Sequence, residues 1–142
     1  MRFHLSPLLV GLGSSLLLAS CGENPVALTS GDPTIALTIV SGNNQSGVVG
    51  RELPLPLVVK ATNASGSVIA NMTVDFKVTS GNGSMYVVAT STNTNGVARN
   101  YWTLGTVAGA AQTIQVRAIL SNGTKQVLGT FSATALADAA TQ

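Results

Sequence analysis

From Thr34 onward the chain alternates hydrophobic and polar positions in short runs that end in clusters of Gly, Asn and Ser. Ile35, Leu37 and Ile39 share one parity until Ser41-Gly42-Asn43-Asn44 ends the run, and Leu53, Leu55, Leu57, Val59 and Ala61 share the next. Pro54 and Pro56 lack the N–H that a ladder needs, so pairing is expected only after them or along an edge. Asn63-Ala64-Ser65-Gly66 reads as a turn. Met72, Val74, Phe76 and Val78 then face one way and Thr73, Asp75, Lys77 and Thr79 the other, the period of a half-buried strand. Ser80-Gly81-Asn82-Gly83 breaks that strand, Tyr86 to Ala89 predicts a weaker one, and Asn95-Gly96 predicts a turn. Ala98, Asn100, Trp102 and Leu104 share the following inward parity, which sets Arg99, Tyr101 and Thr103 on the outward side.

Near the end of the chain, Asn122-Gly123 is the favoured pair for a two-residue type I′ hairpin. Such a turn sets Ile114 opposite Phe131, Val116 opposite Gly129 and Ala118 opposite Val127 on an apolar face. Gln115 opposite Thr130 and Arg117 opposite Leu128 fall on the other face, and a slip of one residue would invert both. Strands at this spacing with no helical period predict an all-β, antiparallel β-sandwich.

The first twenty residues follow a different pattern. Arg2 precedes the apolar run Leu8 to Leu18, which ends in Ala19-Ser20, the layout of a secretory signal. Leu18-Ala19-Ser20-Cys21 resembles a bacterial lipobox, in which the Cys thiol receives a diacylglycerol before cleavage leaves it at the N-terminus. Cys21 is the one cysteine of the chain, so it is expected to be the site of lipid attachment. Residues 22–33 carry turn and linker chemistry and read as a flexible tether. The expected organisation is therefore a lipoprotein signal peptide (1–20), lipidated Cys21 with its tether (21–33), a folded domain (34–137) and a short tail (138–142).

Composition narrows the chemistry. Only 8% of the 142 residues are charged, against about 25% in ordinary domains. Beyond residue 20 there are six cations, Arg51, Lys60, Lys77, Arg99, Arg117 and Lys125, against five acids, Glu23, Asp32, Glu52, Asp75 and Asp138. That balance gives no basic footprint, and no nucleic-acid partner is expected. The one histidine, His4, falls in the signal segment, so a Ser-His-Asp or Cys-His relay cannot be assembled from the exported chain. Asp75 is expected outward beside Lys77, and Glu52 in a solvated local pair with Arg51. These acids suggest neither a hydrolytic carboxylate pair nor a metal site. The chain is not expected to be an enzyme or to hold a cofactor or metal.

The ordered series Ser41-Gly42-Asn43-Asn44-Gln45-Ser46-Gly47, Leu53-Pro54-Leu55-Pro56-Leu57-Val58-Val59, Asn63-Ala64-Ser65-Gly66, Val74-Asp75-Phe76, Ser80-Gly81-Asn82-Gly83, Thr92-Asn93-Thr94-Asn95-Gly96-Val97-Ala98 and Trp102-Thr103-Leu104-Gly105 resembles the bacterial Ig-like domains of group 1, the Big-1 modules of invasin- and intimin-type adhesins. The resemblance covers residues 34–120 and extends toward Ala135. It implies an immunoglobulin-like sandwich of about seven strands that serves as a rod segment or display unit on the cell surface. Family members often carry an acid where Asn63 and Asn93 stand, so a calcium-supported turn is not expected here. There is room for one module, where adhesins stack several.

Together these readings describe an exported lipoprotein, attached through its lipid to the bacterial cell envelope, with one Ig-like module for structural display, adhesion or protein interaction. Where the host has an outer membrane, that membrane is the expected site, because Gly22 rather than Asp follows the Cys. The alternative is a carbohydrate- or small-ligand-binding sandwich lipoprotein. Arg99, Tyr101 and Thr103 combine a cation, an aromatic and a hydroxyl on one outward stripe and form the candidate binding face for a protein or glycan partner. Trp102, of opposite parity, is expected in the core.

Overall fold

The computed structural model describes residues 35–139, and it is built from strands and turns. Cys21, the expected signal segment and the expected tether lie outside the described residues. Ten strand segments follow one another: β1 (Ala36–Ser41), β2 (Gln45–Val48), β3 (Leu57–Thr62), β4 (Thr73–Ser80), β5 (Ser84–Met85), β6 (Ala89–Ser91), β7 (Val97–Asn100), β8 (Trp102–Thr103), β9 (Ala111–Ile119) and β10 (Lys125–Leu136). Sheets of order β1-β3-β7 and β5-β8 make one layer, in which β8 continues β7, and β2-β10-β9-β4-β6 makes the other.

Alternation places the core. Leu57, Val59 and Ala61 on β3 and Ala98 and Trp102 on β7–β8 face Val74 and Phe76 on β4, Ile114, Val116 and Ala118 on β9, and Phe131, Ala133 and Ala135 on β10. All are buried. As expected, β3 starts one residue after Pro56. Leu55 departs from its expected parity and is exposed. Its N–H donates to Oε1 of buried Gln45 at 2.9 Å and its carbonyl accepts from Gln45 Nε2 at 2.9 Å, which holds this Pro-flanked stretch with its side chain outward.

Two further expectations are corrected. The sandwich is not antiparallel throughout: β2 runs parallel to β10, with Gln45 beside Ala133 and Val48 beside Leu136. The chain reaches that edge through a turn in which Asn44 takes a positive φ of 56° and Asn43 Oδ1 accepts from Ser132 N–H at 2.9 Å. Nor do Tyr86 to Ala89 form one strand. Tyr86–Val88 cross between the layers, leaving β5 on one side and β6 on the other.

The β9–β10 hairpin carries a fourth correction. Ile114 does face Phe131, Val116 faces Gly129 and Gln115 faces Thr130, but Ala118 pairs with Gln126 and Arg117 with Val127. The connection is a three-residue loop: Leu120 N–H donates to Thr124 C=O, and Gly123 N–H donates to Leu120 C=O. Gly123 has φ 80°, whereas Asn122 has no positive φ, so the type I′ turn does not form. The longer loop shifts the register by one, and a bulge between Val127 and Gly129 shifts it back. Val127 is consequently exposed and Leu128 packs against the core, the reverse of the expected assignment.

Candidate functional site

β7 and β8 form one nearly continuous strand, and its alternation is complete. Ala98, Asn100, Trp102 and Leu104 are buried, while Arg99 and Tyr101 are exposed and Thr103 half-buried. Arg99, Tyr101 and Thr103 therefore do share one outward stripe. Beneath it, Trp102 is fully buried, and a Cβ on Gly83 would fall 2.7 Å from its Nε1, so the 80–83 loop can close over the indole only with glycine there. The indole N–H has no acceptor among the described residues.

Two groups that sequence reasoning did not assign to the stripe join it. Tyr86 meets Tyr101 edge-to-face, with ring centroids 6.3 Å apart at 83°. Its segment is held by four hydrogen bonds: Tyr86 N–H to Tyr101 C=O at 3.0 Å, Val87 N–H to Asn100 Oδ1 at 3.2 Å, Asn100 Nδ2 to Val87 C=O at 2.7 Å, and Phe76 N–H to Val88 C=O at 2.9 Å. Tyr86 and Val88 are thus presented rigidly although they are 79% and 73% exposed. The second group is Glu52. It bridges to Thr103 through Leu53 N–H to Trp102 C=O and Leu104 N–H to Arg51 C=O, a pairing that sets both side chains on the outer face. Glu52 forms no ion pair with Arg51, which lies 3.9 Å from Asp138 instead. The outward parity of Glu52 was readable from Leu53, but its pairing with Thr103 is a long-range contact that no local pattern announces.

Asp75 is also corrected. It lies on the outer sheet face, yet it is buried, because Arg117 and Lys125 rather than Lys77 close over its carboxylate. Burial would raise its pKa, but hydrogen bonds from Lys125 and Arg117 together with their charges outweigh that effect and hold the carboxyl below its ordinary value. The amides of Asn63 and Asn93 close turns: Asn63 Oδ1 accepts from Ser65 and Ser67 N–H, and Asn93 Oδ1 from Asn95 and Val97 N–H. Among the described residues no three His, Cys, Asp or Glu side chains cluster as a metal would require. An open cleft of about 310 Å³ lies away from the stripe, at the pole where the chain enters, and includes Ile35, Met72, Ile119 and Leu120 in its lining.

No family model matches the chain, and no curated protein does. Solved structures do. The adhesin InvE of Yersinia pseudotuberculosis aligns with a TM-score of 0.53 at 19% identity, covering 72% of this chain and 32% of that one. The D00-D0 domain of intimin aligns with a TM-score of 0.50 at 16% identity, covering 74% of this chain and 47% of that one. The fold is that of the Ig-like domains of invasin- and intimin-type adhesins. The chain spans less than half the length of either of those adhesin structures. A conjugative transposon lipoprotein from Bacteroides eggerthii is also similar, with a TM-score of 0.48 at 15% identity, over 70% of this chain and 96% of that one.

Proposed function

We propose that the protein is a lipoprotein of the bacterial cell envelope, attached through acylated Cys21, whose single Ig-like module is a non-enzymatic display and interaction unit. The observation that carries this reading is the separation of roles along the chain. The domain is entered at Ile35 on one pole, and its rigid outward stripe of Arg99, Tyr101, Thr103 and Tyr86 lies on the flank, clear of that end. The Leu18-Ala19-Ser20-Cys21 segment supports the anchor, and the near-neutral exported chain offers no electrostatic alternative to it.

Cell fractionation tests the reading. The full chain should sediment with membranes and dissolve in detergent, whereas Cys21→Ser should accumulate as an uncleaved precursor or a soluble exported form. Recovery of the unmodified chain in the soluble fraction would refute the anchor.

A further inference from the structure

On the outer face of β7–β8 the charges sit at opposite ends of an aromatic centre. Arg99 lies two residues before Tyr101, and Lys60 is exposed beside it on β3, opposite Val97. Two residues after Tyr101, Thr103 pairs with outward Glu52. The ion pairs of the described residues are Arg51–Asp138, Arg117–Asp75 and Lys125–Asp75, so Arg99, Lys60 and Glu52 belong to none. Between these ends stand Tyr101 and Tyr86, 42% and 79% exposed, on a segment already fixed by the Asn100 amide.

A stripe that runs from cation through aromatic to anion is complementary to itself when reversed. The geometry points to a second copy of this chain as the occupant, docked through a twofold axis that passes by the Tyr86–Tyr101 pair. The rotation carries Arg99 of one copy to Glu52 of the other and Glu52 to Arg99, so each charge pair occurs twice, as an isologous contact requires. From Arg99 to the Thr103–Glu52 pair the strand rises about 13 Å, which leaves room for both tyrosines of each copy in the centre. Tyr and Arg suit such a contact because they give large contact area, and the rigid 86–88 segment loses little entropy on docking. The face is small, which fits a weak association. This inference names the partner of the face described above, and it can fail while the Cys21 anchor stands, or stand while the anchor fails.

Site-specific photo-crosslinking in cells tests it on the full chain. Two differently tagged copies are co-expressed with the photo-reactive aromatic benzoylphenylalanine at position 101, and irradiation should yield a band carrying both tags. The same probe at Val107, exposed on another loop, should yield at least tenfold less. In the position-101 background, Arg99→Glu or Glu52→Arg should each lower the homodimer yield about tenfold, since two pairs turn repulsive at once. The double variant, Arg99→Glu with Glu52→Arg, should restore it. Equal yields at 101 and 107, a product with a different protein in place of the two-tag band, or failure of the double variant to recover would each overturn the second-copy assignment.

Discussion

Asp75 on β4 stands directly opposite Arg117 on β9, and its Oδ1 accepts from Arg117 Nη2 at 2.6 Å and Nε at 3.1 Å. Oδ2 accepts from Lys125 Nζ at 2.8 Å, so one buried carboxylate ties together three adjacent strands of the larger sheet. Lys125 reaches it because the three-residue loop places Lys125 and Val127 on the outer face. The two-residue turn would have pointed Lys125 into the core.

The triad predicts an acid limb in the stability curve. The folded pKa of Asp75 is lowered, so its contribution is fully present above the ordinary value of 3.8 and is lost as pH falls through the lower folded value. Asp75→Asn should flatten that limb in urea titrations run between neutral and strongly acid pH. Asp75→Ala at neutral pH should cost about 2–3 kcal/mol, below the range for fully buried pairs because Lys125 is half exposed.

Trp102 predicts a graded series. Removing the whole side chain in Trp102→Ala should cost about 3–5 kcal/mol, a large share of a small domain's roughly 5–15 kcal/mol. Trp102→Phe should cost distinctly less, because among the described residues the indole N–H has no acceptor that phenylalanine would forfeit. Denaturant midpoints of the two variants check the order, and a phenylalanine variant as destabilised as the alanine variant would contradict it.

Asn93 predicts a local effect. Its Oδ1 accepts from two backbone N–H groups, so Asn93→Ala should cost about 1 kcal/mol, and Asn93→Asp should retain the turn. Amide exchange at Asn95 and Val97 should speed up in the alanine variant while β9 stays protected.

Much of the layer architecture is readable from local alternation, because a strand with one buried face must repeat every two residues. The parities of β3, β4 and β7–β8 show this, and they located the Arg99–Tyr101–Thr103 stripe together with buried Trp102. What escaped were features decided by contacts distant in sequence. Asn122-Gly123 is compatible with either loop length, and the bulge at Leu128 cancels the shift farther along, so the outer pairs match either choice. Tyr86 and Glu52 reach the stripe through β5–β8 and a lone bridge, neither of which has a sequence period. Nuclear Overhauser contacts in the hairpin should link Ala118 with Gln126 rather than Val127, and the opposite pattern would reinstate the two-residue turn.

The proposed anchor rests on one modified atom, the sulfur of Cys21. Mass spectrometry of the N-terminal peptide from detergent-extracted protein tests this most directly. We predict a peptide that begins at Cys21 and carries the mass of a thioether-linked diacylglycerol, with residues 1–20 removed. A peptide with an unmodified Cys21, whether or not those residues are still present, would contradict the account.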